Sequence, residues 1–335
     1  MEALMSRKLL TLSLTATLMG GTAHADTLQV AVDIAPVHSF VARVMDGVGM
    51  PDLIIQPGAS PHEYSLRPSE AAALQNSDLV FWIGPGLTPW LTDTIETLAK
   101  DASVTSLLDL DGTVQLDFRE GALFEVHDHD DHDDHDDHDD HDDHDDHDDH
   151  DDHDDHDDHD DHDDHDDHDP HAWLSPKNAI TWLNVIAGQL SAADPDNAGT
   201  YFANAAAGRT EIELLISEVT ATLDRVRGGR FIVFHDAYQY FEMDFNFPAS
   251  GAISVSDASD PGPARITEIR DRISQQGIDC VLAEPQFNPD LIATILDGTD
   301  SRTGIIDPLG SDLEPGASLY RELIRNLSTA LASCM

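Results

Sequence analysis

A chain of 335 residues with 66 acidic and 17 basic side chains, at a formal charge of −49, has room for two domains. It argues against a nucleic-acid partner, because phosphate binding needs a basic footprint. Residues 128–169 hold 28 of the Asp, with 14 His and nothing else; outside them and the leader the balance is still 37 acidic to 15 basic, a surface that steers cations.

The N-terminus has the form of a secretory signal peptide over residues 1–25: Arg7 and Lys8, an apolar run from Leu9 to Met19, then Ala23-His24-Ala25 before Asp26. That run is short for a membrane span and no other segment qualifies, so an exported, soluble protein is expected, periplasmic if the cell has two membranes. A first lobe is expected over 26–195. Leu28–Asp33 reads as a strand and Val37–Asp46 as a helix. Asp52–Ile55 reads as a strand ending in the Pro57-Gly58-Ala59-Ser60-Pro61-His62 turn. Pro68–Asn76 reads as a helix with proline in its first turn. Leu79–Ile83 is a third strand, Trp90–Lys100 a helix, and Thr105–Leu108 a short fourth strand. Strands alternating with helices indicate an α/β lobe with a mainly parallel sheet.

The tract at 127–169 cannot build a core, since ordering so many polar side chains costs entropy with no apolar return. A solvated acidic linker would need only the Asp. The regular imidazoles point to metal: His127, His129, His132, His135, His138, His141, His144, His147, His150, His153, His156, His159, His162, His165 and His168 alternate with carboxylates. Zn is served by that donor set, as are Ni, Cu and Co; Ca or Mg would not need the imidazoles. Many overlapping, exchangeable, low-affinity sites are expected, so the tract reads as a disordered collector and not as the specific site.

After it, Ser175-Pro176 opens a helix over Lys177–Leu190. Ala198 to about Arg227 is the longest helical pattern, stopped by Gly228-Gly229, and residues 196–229 read as a rigid connector to a second lobe at 230–335. There Phe231–Phe234, Ala252–Val255, Cys280–Ala283 and Thr303–Ile306 read as strands. Ala264–Gln275, Asp290–Leu296 and Ser318–Leu331 read as helices. Cys280 and Cys334 are the only cysteines. In an oxidising compartment they read as a disulfide that closes a loop of about 55 residues, with a nominal value of about 2–4 kcal/mol; two buried thiols are the alternative.

Four His remain outside leader and tract: His38, His62, His171 and His235. His38 lies on the first helix and reads as structural. His62, His171 and His235, with Asp307 at another strand end, could hold one zinc ion in a cleft between the lobes, because ligands gather at the C-terminal ends of strands in open α/β sheets.

Several stretches resemble the periplasmic zinc-binding proteins of bacterial ABC zinc uptake systems, the ZnuA type within the metal-binding cluster of solute-binding proteins. They are Gly58-Ala59-Ser60-Pro61-His62-Glu63-Tyr64, Leu66-Arg67-Pro68-Ser69, Asn76 to Leu79, and His171-Ala172-Trp173-Leu174-Ser175-Pro176. The second half adds Phe234-His235-Asp236-Ala237-Tyr238, Phe241, Ala283-Glu284-Pro285-Gln286-Phe287 and Asp307-Pro308-Leu309-Gly310. The resemblance covers the mature chain. It implies two α/β lobes with mainly parallel sheets joined by one long rigid helix, and a zinc ion in the inter-lobe cleft. It implies His62, His171 and His235 as ligands, with the fourth place taken by Asp307, by water or by Glu63. It also implies a His-rich acidic loop and the cysteine pair. Manganese-type members put Glu at the place of His235, so the three imidazoles favour zinc. Glu284 and Tyr238 read as groups that orient ligands or wall the cleft, and Trp173 as a residue that packs locally. The resemblance further implies a non-enzymatic protein and an inner-membrane permease with its cytoplasmic ATPase as partners. A periplasmic zinc chaperone and a monomeric state belong to the same expectation. Other readings are a zinc hydrolase, which lacks an HExxH pattern here, a periplasmic zinc buffer or chaperone, and a manganese-binding or adhesin-like relative. Deletion of residues 128–169 separates the buffer from the cleft reading.

Overall fold

The computed structural model describes residues 28–119, 168–254, 262–286 and 289–335. The expected signal peptide, the tract from His127 to His165, Val255 and Phe287 lie outside the described residues.

The first lobe is a parallel sheet in the order β2-β1-β3-β4. It comprises β1 (Val30–Val32), β2 (Asp52–Leu53), β3 (Leu79–Trp82) and β4 (Ser103–Ser106). The central strands β1 and β3 are buried along their length, which is why they read as unbroken apolar runs: crossover helices cover both faces of a parallel sheet. The edge strand β4 starts earlier than the expected Thr105–Leu108. Its Ser103 and Val104 are exposed, so the apolar residues that follow it are a poor guide to where pairing begins. The crossovers carry α1 (Ala35–Val44), α2 (Pro68–Asn76) and α3 (Pro89–Leu98). At α2 the Glu70 carboxylate folds back to accept from the Arg67 N–H at 2.7 Å, satisfying one of the donors that a helix start leaves open.

Two helices lead to the second lobe. The first, α4 (Pro176–Ala193), is capped by Ser175, whose Oγ accepts from the Asn178 N–H at 3.2 Å. The second, α5 (Ala198–Leu223), runs 26 residues and is continued by a 3-10 turn to Val226. One stripe of α5 is buried, through Tyr201, Ala205, Gly208, Ile212, Leu215, Val219 and Leu223. Gly208 permits that packing: a Cβ there would sit 3.1 Å from Leu183 Cδ1 and 3.3 Å from Arg43 Cγ.

The second lobe repeats the scheme in the order β6-β5-β7-β8, again all parallel. Its elements run β5 (Phe231–His235), α6 (Gln239–Phe245), β6 (Ala252–Ser254) and α7 (Pro263–Gln276). They continue with β7 (Cys280–Ala283), α8 (Pro289–Leu296), β8 (Arg302–Ile305) and α9 (Leu319–Cys334). No element is expected from the sequence between Phe234 and Ala252, yet α6 lies there. It is only 7 residues long, too few for a helical period to show.

The long helix is not the sole joint. The closing helix α9 returns to the first lobe: Tyr320 packs on Phe40 of α1 at 4.5 Å between ring centroids, and its N–H donates to Ser39 Oγ at 3.0 Å. Buried residues of α1, α4, α5 and α9 belong to one continuous core. Glu211 of α5 bonds Arg43 of α1 through both oxygens at 3.1 Å and lies 3.6 Å from Arg321 of α9. Wide separation of the lobes would expose this shared core, so the packing opposes a wide hinge opening. Cys280 and Cys334 form a disulfide that ties β7 to the end of α9.

Candidate metal centre

The segments that carry His62, His171, His235 and Asp307 meet at the facing ends of the two sheets. A pocket of about 200 Å³ is lined by His62, His171, His235 and Asp307, with Trp173 and Gln286 among its walls.

His62 comes from the turn after β2. Gly58 adopts φ +82, a backbone conformation open mainly to glycine. The turn is held by Trp90 of α3, whose indole N–H donates to the Pro61 carbonyl at 2.8 Å. His62 itself is half-buried. The neighbouring Glu63 is exposed and is not among the residues that line the pocket.

His171 precedes a single 3-10 turn (Ala172–Leu174) that leads into α4. Its Nδ1 lies 2.7 Å from Asp169 Oδ1, and the same oxygen accepts from the His171 N–H at 3.0 Å. Asp169 is only 1% exposed, its carbonyl accepting from Tyr240 O–H at 2.7 Å and its N–H donating to the Leu116 carbonyl at 2.7 Å. Sequence reasoning groups Asp169 with the acidic tract, and the structure makes it part of the site. The available signal is that Pro170 breaks the repeat directly after it. A deletion of residues 128–169 would therefore remove an orienting carboxylate along with the tract, and the informative cut stops at 166.

His235 ends β5 and is 3% exposed. Its Nδ1 lies 2.8 Å from Oε1 of Glu284, one residue beyond β7, and Gln286 donates to the other Glu284 oxygen at 2.7 Å. A carboxylate accepts only, so each of these imidazoles donates from Nδ1 and turns Nε2 toward the pocket. The two Nε2 atoms are 3.3 Å apart. At that separation either a shared proton or a metal cation can sit between them. The ring centroids of His62 and His171 are 5.9 Å apart. Among the described residues no three His, Cys, Asp or Glu side chains are already drawn into a closed cage; what is preset is the pair, with His62 and Asp307 across the pocket.

Asp307 follows β8. Its Oδ1 accepts from the N–H groups of Leu309 and Gly310 at 2.9 and 3.0 Å, and its Oδ2 accepts from the Ser311 N–H and O–H, both at 2.6 Å. These donors fix the carboxylate and delocalise its charge. Tyr238 is buried beside it, and burial, then the negative charges of Glu284 and Asp307, push its phenol well above the usual range. Tyr238 therefore stays neutral, its ring centroid 6.4 Å from that of His235, and against the expectation of a cleft wall it is not among the residues that line the pocket. Trp173 packs locally, its ring centroid 5.3 Å from that of His171, and its indole N–H also reaches into the second lobe and donates to the Pro308 carbonyl at 2.7 Å.

Arg119, at the entrance to the tract, also escapes sequence reasoning. It pairs with Asp236, next to His235, and donates to Glu242 Oε2 at 2.8 Å. Burial opposes its charge, yet the Glu242 and Asp236 carboxylates hold its pKa above the ordinary value. On the far side of the tract, His168 Nδ1 lies 3.0 Å from Asp117 Oδ1. Arg119 and His168, the described residues on either side of the tract, are thus held near the turns that carry His235 and His171. His38 is buried on α1 with Nε2 3.1 Å from the Pro51 carbonyl, and burial lowers its pKa; it lies outside the pocket lining.

The family model for zinc-uptake complex component A, periplasmic, matches residues 30–334. The chain belongs to this family. Relatives within it include the high-affinity zinc uptake system protein ZnuA of Brucella abortus (strain 2308), 50% identical over 306 residues and covering 91% of each chain. The protein of that name from Paracoccus denitrificans (strain Pd 1222) is 48% identical over 314 residues, 93% of each chain. A zinc-bound crystal structure of a ZnuA deletion mutant superposes with a TM-score of 0.69 at 21% identity, over 92% of this chain and 98% of that one. At that identity the likeness speaks for the fold. The family match takes in both lobes and the helix between them, and the protein is periplasmic.

Proposed function

We propose that this protein captures Zn²⁺ in the periplasm at His62, His171, His235 and Asp307 and delivers it to an ABC permease. One observation carries the reading. Two nitrogens each about 2.0–2.1 Å from one tetrahedral zinc lie about 3.4 Å apart, and His171 Nε2 and His235 Nε2 stand 3.3 Å apart with both Nδ1 atoms already held by carboxylates. These two imidazoles are oriented before the metal arrives, which lowers the ordering that opposes binding, while His62 and Asp307 close on it. Three imidazoles suit a borderline ion and select against Mg²⁺, Ca²⁺ and Mn²⁺, which prefer oxygen. A carboxylate at the fourth place leaves no coordination position for a reacting water, which is the arrangement of a carrier and not of a hydrolase.

Delivery to an inner-membrane permease driven by its ATPase follows from the family's place in a zinc-uptake complex. The tract serves in this reading as a low-affinity collector, rooted next to the cleft by Arg119 and His168. The test is zinc titration under chelator competition with residues 128–166 replaced by a short neutral linker and Asp169 retained. One tight site should persist, and it should disappear when His62, His171 and His235 are all replaced by Ala. Tight binding that vanishes with the linker replacement alone would make the protein a buffer and sink the cleft reading.

A further inference from the structure

Two of the four ligand segments are tethered by the same device, an indole N–H donated to the carbonyl of a proline beside the ligand. Trp90 does this for Pro61, which precedes His62, and Trp173 does it for Pro308, which follows Asp307. The first tether lies inside one lobe. The second crosses between lobes: Trp173 belongs to the His171 turn, its ring centroid 5.3 Å from that of His171, while Pro308 belongs to the β8 exit loop of the second lobe. Trp173 is 1% exposed and lines the pocket. Its only polar atom is therefore committed to a buried bond.

We infer that Trp173 is a positioning residue which sets the distance between Asp307 and the imidazoles, and so decides that the fourth ligand is this carboxylate and not water. The physical argument is one of constraint. The internal bonds of Asp307 fix its carboxylate relative to residues 309–311 of its own loop, but none of them refers to the first lobe. The Trp173–Pro308 bond supplies that reference, since one rigid bicyclic side chain touches the His171 ring at one end and holds the residue after Asp307 at the other. A proline carbonyl suits the purpose: the neighbouring ring fixes φ, so anchoring the oxygen anchors the backbone that bears the carboxylate. The inference rests on the reading of Asp307 as a zinc ligand.

The test is a double-mutant cycle in the tract-trimmed protein that retains Asp169, read by zinc affinity and by the visible spectrum of the Co²⁺ form. Four-coordinate Co²⁺ absorbs more strongly than the five- or six-coordinate ion. Trp173→Phe should lower zinc affinity about 5- to 30-fold, the scale of a buried acceptor left without its donor. It should also weaken the Co²⁺ bands as Asp307→Asn does. The double variant should bind no more weakly than Asp307→Asn alone. Trp90→Phe, acting through His62, should instead add to Asp307→Asn. Should Trp173→Phe fail to fold, benzothienylalanine at 173 keeps the shape and removes only the donor. Additive losses for Trp173→Phe and Asp307→Asn, or an unchanged Co²⁺ spectrum, would overturn the inference while leaving Asp307 a ligand. An Asp307→Asn variant with wild-type affinity would instead remove the reading of Asp307, and the inference with it.

Discussion

The two lobes build the same sheet and use the exit of its second strand in opposite ways. In the first lobe that exit is Asp33, 1% exposed, whose Oδ1 accepts from the Ile34 N–H at 2.7 Å and whose Oδ2 accepts from the Ile83 N–H at 2.8 Å. Both oxygens turn inward and clamp the ends of β1 and β3. In the second lobe the exit is His235, whose Nδ1 bonds Glu284 just past β7 while Nε2 faces the cleft. Each exit residue reaches across to the neighbouring strand, but both oxygens of Asp33 turn inward onto backbone donors, whereas His235 carries a second nitrogen that faces the cleft. The lesson is that the sheet end supplies a position, and the direction in which the side chain's polar atoms turn decides whether that position closes the fold or opens on the pocket.

Several measurements would break or sharpen that contrast. The largest effect should come from His235→Ala in the tract-trimmed protein, with a loss of zinc affinity well beyond the roughly 10–100-fold of an outer partner; Asp33→Asn should leave calorimetric zinc affinity close to wild type. Equal losses for the two would erase the distinction. Next come the orienting carboxylates, where Glu284→Gln and Asp169→Asn should each lower affinity about 10–100-fold by chelator competition. Such a loss at Asp169 would separate it from the rest of the acidic tract.

Replacing Cys280 and Cys334 together by Ser should lower stability by about 2–4 kcal/mol in urea unfolding. Neither cysteine lines the pocket, so the zinc affinity of the folded form should be retained. A last effect concerns pH. Burial pushes the Asp33 carboxyl up from 3.8 to about 7, against the pull of the Ile83 and Ile34 N–H groups. An acid whose folded pKa exceeds its unfolded one binds more protons when folded, so its contribution to stability is present at low pH and is lost as pH rises from about 4 to about 7. Metal-free protein should lose stability over that window, and Asp33→Asn should flatten the loss. A wild-type profile that rises across the same window with the slope unchanged in Asp33→Asn would show that Asp33 does not titrate there.

Much of the fold is legible in the residues. The β3 run Leu79-Val-Phe-Trp82 and the β7 run Cys280-Val-Leu-Ala283 are apolar throughout because both sheet faces are covered, and helices that begin at Pro68 and Pro176 announce their first turns. Less legible are β4, whose half-exposed polar residues carry little pattern, and α6, which is shorter than two turns. Gly208, a poor helix former inside the long helix, leaves the room that Leu183 and Arg43 fill against it.

The sequence by itself determined the donor chemistry: three imidazoles and a carboxylate at loop and strand ends, and an acidic imidazole tract between the first and second of them. It determined the two-lobe α/β plan through the alternation of apolar strands with helices. Tertiary structure alone decided that Asp169 serves His171 and not the tract, and that Trp173 spans the lobes. It also decided that α9 returns to lock against α1 and that Arg119 joins the tract's root to the turn behind His235. Periodicity reports which side chains leave water, because burial follows the local geometry of one element. It carries no record of which distant backbone oxygen or carboxylate a buried donor will meet, since that choice is made only when separate elements pack.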